Sequence, residues 1–566
     1  MYILKPFISI KKIEDDIHKI TNDIIVELEN KMRDKDVLCV ETYPGVDDNL
    51  LESLKEIGFD TIIETINIFK EEQLMTEQMK YNLTDDRVRG RMYFGEAIDF
   101  MDKDRLVEAK KIAKSANGKI LVYGFGASLV SKGDCTVYAD VSRWEIQTRY
   151  RNGGSNYNAS NFTEDILRKF KRGYFIEWRI ADKIKVNLFD NIDYYIDAND
   201  SSNYKMVSGR DYFGGLSEVV RQPFRTVPYF DRGVWGGQWM KEKFSLNPLN
   251  VNYAWSFDGV PEENSLILNF NGTLFETPAL NLVLYLPQDL LGDKVYQSYG
   301  AEFPIRFDYL DTMGGQNLSF QVHPDTELIR KEFGMAYSQS ESYYIMQAKP
   351  GSVVYLGLKE DADMPAMFKD LRKAQDGEIC FDTDKYVNKI PVLKHDHFLI
   401  PPGTVHCSGE DTVVLEISST PYIFTFKLWD WGRIDLDGKP RPVHVDLGEK
   451  AIYTKYRTKF VQDNLINKFE RLYSKNRVMI ERTGLYTTQP IETLRYSFDE
   501  KIELDNNGKF SMLNIVEGDK CIISSPDNAF EPYEVHYGET IIIPANICCF
   551  SVESDSPTIL IRAFCR

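Results

Sequence analysis

The hydrophobic positions of the chain follow two different rhythms. In the first, helical spacing alternates with short apolar runs. Ile13, Ile17, Ile20, Ile24 and Leu28 recur at three- and four-residue steps, which predicts an amphipathic helix. Val37-Leu38-Cys39-Val40 then reads as a short buried strand, closed by the Pro44-Gly45 turn. A helix-like stretch from Asn49 and the run Thr61-Ile62-Ile63 complete a βαβ unit. The pattern repeats: helix over 106–113, strands at Ile120-Leu121-Val122-Tyr123 and Thr136-Val137-Tyr138-Ala139, and a helix around Ile166-Leu167. Strands at Tyr174-Phe175-Ile176 and Tyr194-Tyr195-Ile196 follow. Strands alternating with helices predict a layered α/β domain over residues 1–205, Rossmann-like or P-loop-like. Residues 206–221 hold Gly209 and Gly214-Gly215 and are expected to form a linker.

Beyond residue 222 the rhythm becomes that of a β protein. Short runs such as Leu266-Ile267-Leu268 and Leu282-Val283-Leu284-Tyr285 are separated by Pro, Gly and Asn, the spacing of sandwiches and jelly rolls. The charged stretch 359–390 predicts a loop or short helices, and 450–468 a single connecting helix. Strands resume at Gly518-Asp519-Lys520-Cys521-Ile522-Ile523 and at Thr540-Ile541-Ile542-Ile543. Two mainly-β domains are therefore expected, 222–449 and 450–566.

One strand in this region carries chemistry. Leu318, Phe320 and Val322 alternate with Ser319, Gln321 and His323 up to Pro324, so Gln321 and His323 share a face. Glu341 lies in the run Glu341-Ser342-Tyr343-Tyr344-Ile345, and His406 follows the turn Pro401-Pro402-Gly403. A single histidine here would read as an ordinary strand residue. Four donors of imidazole, carboxylate and amide type instead suit one borderline divalent ion such as zinc.

Gln321-Val322-His323-Pro324-Asp325, then Glu341, then Pro402-Gly403-Thr404-Val405-His406 resemble the motifs of type I phosphomannose (mannose-6-phosphate) isomerases, which are zinc-dependent cupins. Leu428-Trp429-Asp430-Trp431-Gly432-Arg433 is similar to a further family segment, and Val234-Trp235-Gly236-Gly237 with Met240-Lys241-Glu242-Lys243-Phe244 to its opening one. The resemblance spans about 222–566. It implies a double cupin (jelly-roll) fold whose second barrel has no metal, with Gln321, His323, Glu341 and His406 as metal ligands and Arg433 as a catalytic residue facing the substrate. It further implies interconversion of mannose 6-phosphate and fructose 6-phosphate. Two family lysines are replaced, by Gln339 and by Asp308. A phosphate dianion needs cationic partners, and Arg306 and Lys427 are the substrate-binding candidates to compensate. The alternatives are a metal-binding cupin that binds or senses a carbohydrate without turnover, and a bifunctional protein with an N-terminal kinase-like domain.

The kinase alternative turns on Gly124-Phe125-Gly126-Ala127-Ser128-Leu129-Val130-Ser131-Lys132-Gly133. It has the first glycine and the lysine of a phosphate loop, but Ser131 replaces the second glycine and Gly133 the magnesium-binding hydroxyl. A degenerate, glycine-rich strand-to-helix turn is the expected reading. Arg172, Arg179 and Lys183 are expected on a solvated charged surface.

Composition narrows the partners. Acidic residues number 86 against 68 basic ones, a net charge of −18 with no long basic run, which argues against nucleic acid. Eight scattered cysteines without a Cys-x-x-Cys pair predict reduced thiols. No apolar leader or membrane-spanning stretch stands out, so a cytoplasmic protein acting on a small-molecule sugar phosphate is expected. The pattern leaves the oligomeric state open.

Overall fold

The computed structural model describes every residue except 15–16, 18–20, 35, 116, 421, 423, 436–437, 439–440, 476 and 485–488. The chain divides into two compact units, each assembled from separate pieces of sequence.

One unit comprises Phe7–Val219 and Pro261–Leu286. Its main sheet runs Thr61–Glu64, Ile120–Gly124, Val37–Thr42, Cys135–Asp140, Tyr194–Asp197 and Lys205–Ser208. The first five strands are parallel and the last is antiparallel. Strands covered on both faces read as unbroken apolar runs. Leu38, Val40, Leu121, Val137 and Ile196 meet Leu28 of the helix Thr21–Lys31, Met32 just beyond its end, and Leu50 and Leu54 of the helix Asn49–Leu54 in one core. A second sheet, in which Ile8–Ile10 lies parallel to Ser265–Phe270, ties residues 261–286 into this unit.

Several expectations change here. Ile24 and Leu28 are helical, Ile13 and Ile17 precede the helix, and Ile20 lies outside the described residues. Tyr174-Phe175-Ile176 is not a strand. It sits in a π-helical turn, Gly173–Glu177, joining the helices Ile166–Arg172 and Trp178–Leu188. An apolar triplet buried on all sides has no period by which to tell strand from helix. The expected linker is likewise structured, as the strand Lys205–Ser208 and the helix Gly209–Val219. Gly215 marks a close approach and not a turn, because a Cβ there would lie 3.3 Å from the Phe270 ring.

The other unit comprises Met1–Pro6, Val220–Val260 and Pro287–Arg566. Its first pair of antiparallel sheets has six strands in the order His397–Ile400, Ser340–Ala348, Thr412–Ser419, Arg306–Asp311, Trp255–Phe257, Tyr229–Asp231. The facing five are Val387–Pro391, Val353–Leu358, His406–Ser408, Phe320–Val322 and Phe426–Trp429. A second pair, of six and four strands over residues 470–565, encloses an apolar core that includes Leu513, Ile515, Ile541, Phe550 and Leu560. The first residues of the chain are tied into this unit: the Tyr2 hydroxyl donates to Asp258 (2.8 Å) and the Ile3 N–H to Glu539 (2.6 Å).

Leu282-Val283-Leu284-Tyr285, which has strand-like composition, is part of the helix Leu280–Tyr285 in the α/β unit. The single helix expected over 450–468 is two, Val445–Ala451 and Thr458–Asn464. Between them the backbone leaves the helix to bond elsewhere: Tyr453 N–H donates to the Gly403 carbonyl (2.9 Å), and Leu358 N–H to the Tyr456 carbonyl (2.9 Å). Among the described residues no helix is long and apolar enough to cross a membrane.

Candidate metal centre

Gln321 and His323 sit on one face of the short strand Phe320–Val322 and its continuation, as their spacing predicts. Gln321 is directly opposite His406 across the ladder, and opposed residues share a face. Glu341 enters from the opposite sheet on Ser340–Ala348. His323, Glu341 and His406 are fully buried, and one donor atom from each lies within 4.8 Å of the others.

Each imidazole is anchored by the nitrogen that faces away. His323 Nδ1 is 2.9 Å from the Phe424 carbonyl oxygen, and His406 Nδ1 is 2.9 Å from that of Thr404. A carbonyl only accepts, so Nδ1 carries the proton and Nε2 is turned inward. His406 Nε2 lies 2.7 Å and His323 Nε2 3.1 Å from the Glu341 carboxylate. His323 Nε2 and Glu341 Oε1 are nonetheless buried without a hydrogen-bond partner. Burial works to raise the Glu341 carboxyl, but the charge that the two imidazoles can carry outweighs it and holds the group well below the usual range. A carboxylate facing two inward-turned ring nitrogens suits a cation between them. The Gln321 amide nitrogen is 3.2 Å from His406 Nε2, and a half-turn of the amide would present Oε1 instead. The residues therefore fit a divalent ion held by two nitrogens, a carboxylate and an amide oxygen.

Cross-strand register extends this face into two polar rows. Glu341 is opposed by Ser418 and then Arg306; Tyr343 is opposed by Glu416 and then Asp308. All six are buried. Burial, the neighbouring Glu341 and Asp308 together push the Glu416 carboxyl well above its ordinary value. Glu416 was not among the site residues expected from the sequence. Its signal was there, as the one charged residue in the apolar run Val413-Val414-Leu415-Glu416-Ile417.

The remaining expected residues are distributed differently. Arg306 Nε donates to the Thr420 carbonyl (3.1 Å), and Lys427 stands opposite Gln321 in the ladder. Arg433 bonds the Asn317 carbonyl (2.6 Å), the Asp430 carboxylate (2.6 Å) and the Asp430 carbonyl (3.1 Å). These partners belong to its own turn and to residue 317, not to the His–Glu cluster. Gln339 lies beside Glu341, with its amide nitrogen 3.0 Å from Oε2.

In the α/β unit, the turn after Ile120–Gly124 is already filled. Gly126 N–H (2.5 Å) and Ser128 N–H (2.8 Å) donate to the two carboxylate oxygens of Glu41. That buried group, pushed up by burial to about 7, occupies the place a phosphate oxygen would take. The expected solvated face holds only in part: Lys183 is exposed and bonds the Phe94 and Gly95 carbonyls, Arg179 is half-buried against Glu262, and Arg172 is buried against Glu177 (2.6 Å).

A family model described as a domain of unknown function, DUF8485, matches residues 20–221. The mannose-6-phosphate isomerase of Streptococcus mutans is 21% identical over 338 residues, 59% of this chain and 96% of that protein. Mannose-6-phosphate isomerase ManA of Bacillus subtilis is 22% identical over 343 residues, 59% of this chain and 97% of its own length. The crystal structure of the mannose 6-phosphate isomerase from Bacillus subtilis superposes with a TM-score of 0.50 at 17% identity, covering 60% of this chain and 99% of that one, a likeness of fold. Over about three fifths of its length the chain is thus similar to mannose-6-phosphate isomerases, and residues 20–221 match a domain to which no function is attached.

Proposed function

We propose that the unit holding the His–Glu cluster is a zinc-dependent aldose–ketose isomerase that interconverts mannose 6-phosphate and fructose 6-phosphate. The observation that carries this reading is the convergence of Gln321, His323, Glu341 and His406 on one buried point, with both imidazoles oriented by backbone carbonyls. The names of the relatives supply the substrate.

In this reading those four residues hold the ion, which supplies Lewis acidity toward the substrate's oxygens. The chain's own residues do the rest. Isomerisation moves a proton between adjacent carbons, and Glu416 is the group suited to carry it: buried, on the face of the centre, with its carboxyl raised by burial and by the neighbouring Glu341 and Asp308. Tyr343 shares its row, and its ring lies edge-on to His406 at 5.7 Å, fixing that imidazole and helping to keep water out. Arg306, on the same face, and Lys427, opposite Gln321, are the cations for the substrate's charge. Arg433, held by the Asp430 carboxylate and the Asn317 carbonyl, is the catalytic residue expected to face the substrate.

The test is metal analysis combined with conversion of fructose 6-phosphate to mannose 6-phosphate by the full chain. Stoichiometric zinc with turnover is the expected result. Stoichiometric zinc and tight sugar binding without isomerisation of any hexose phosphate would replace the enzyme with a carbohydrate-binding protein.

A further inference from the structure

Gln339 is buried, and both ends of its amide are used. Its Oε1 accepts from the Phe424 N–H (3.1 Å), and its Nε2 donates to Glu341 Oε2 (3.0 Å). The Phe424 carbonyl in turn accepts from His323 Nδ1 (2.9 Å), while His323 Nε2 faces Glu341. The four groups close a ring: Gln339, the Phe424 peptide, His323, Glu341. Chemistry allows one orientation of the amide. A peptide N–H only donates and a carboxylate only accepts, so the oxygen must face Phe424 and the nitrogen Glu341.

We infer that Gln339 is the positioning residue of the metal centre, setting the angle of the Glu341 carboxylate and, through the Phe424 peptide, the tautomer of His323. This rests on the metal-centre reading above. It also gives the side chain at position 339 a local requirement. Lysine could donate to Glu341 but could not accept from Phe424. Glutamate could accept from Phe424 but would face Glu341 with a second carboxylate, and leucine can do neither. Partners of metal ligands act by fixing ligand orientation, and their removal typically weakens metal binding about 10- to 100-fold.

The experiment is a zinc titration of the metal-free full chain against a chromophoric chelator, with wild type, Gln339→Leu and Gln339→Lys, alongside visible spectra of the cobalt(II)-substituted proteins. The expected result is zinc affinity reduced about 10- to 100-fold in Gln339→Leu and by less in Gln339→Lys, with cobalt bands shifted in both. Should Gln339→Leu fail to fold, Gln339→Lys alone decides the matter, because it keeps the donor to Glu341. Affinities within twofold of wild type and unchanged cobalt spectra would overturn the role while leaving the metal centre standing. A wild-type chain that takes up no metal would overturn both.

Discussion

Each of the two units buries a glutamate at about 1% exposure, and the surroundings of the two differ in kind. Glu41, at the end of a central parallel strand, receives two backbone N–H groups, one on each oxygen. Its bonding is complete within its own unit, and what resembles a phosphate loop in sequence is a turn closed by its own acid. Glu341 faces two imidazoles whose outer nitrogens are already committed to carbonyls, with their inner nitrogens 2.7 Å and 3.1 Å from its carboxylate. A buried carboxylate satisfied by backbone is structure; one that faces inward-turned ring nitrogens is a candidate cation ligand. The second pair of sheets extends the contrast. It has the same antiparallel architecture, but its interior is lined by residues such as Ile515 and Leu560.

The contrast breaks most completely at His406. Replacing His406 by alanine removes a donor and the carbonyl-anchored ring, and is expected to abolish isomerase activity and most bound zinc while the chain still folds. Metal analysis of the purified variant checks this, and unchanged zinc would mean that the site is misassigned. Glu416→Gln keeps shape and burial but not the exchangeable proton. Its kcat is expected to fall by about 10²- to 10⁴-fold with zinc retained, the range for a lost general acid–base. Steady-state kinetics on metal-analysed protein measures it, and a kcat near wild type would remove Glu416 from the chemistry.

Glu41 offers a pH test of the other side of the contrast. Its carboxyl is raised from 4.5 to about 7 in the folded state. A raised value means that the folded chain binds more protons than the unfolded chain between those pH values, so this contribution is fully present below about 4.5 and is lost as pH rises through about 7. Glu41→Gln lacks that slope. Between pH 4 and pH 8 its stability relative to wild type should therefore improve by about 3 kcal/mol, read from denaturant midpoints at each pH. A pH-independent difference would mean that Glu41 titrates normally. Finally, Ile515→Ala in the apolar second barrel should cost about 2–4 kcal/mol of stability by cavity formation. Zinc stoichiometry should not change; zinc loss in that variant would show that the two barrels are not separable in this way.

What the chain determined on its own is local and periodic. Alternation placed Gln321 and His323 on one face, continuous apolar runs marked the parallel strands, and the ordered motifs brought Glu341 and His406 to the same centre. Side-chain direction along a strand follows from its two-residue period, so such readings need no partner strand. Only the tertiary structure decided the rest. Glu416 joins the site because Thr412–Ser419 pairs with Ser340–Ala348 in the register that sets it opposite Tyr343, and register is a property of two strands. Tyr174-Phe175-Ile176 carries no period because it is buried on every side, so its helical state shows only in its place between the helices Ile166–Arg172 and Trp178–Leu188. Arg433 bonds Asp430 and Asn317, and Gln339 is bound at both ends of its amide, because hydrogen-bond partners are chosen by proximity in space, which a linear pattern does not record.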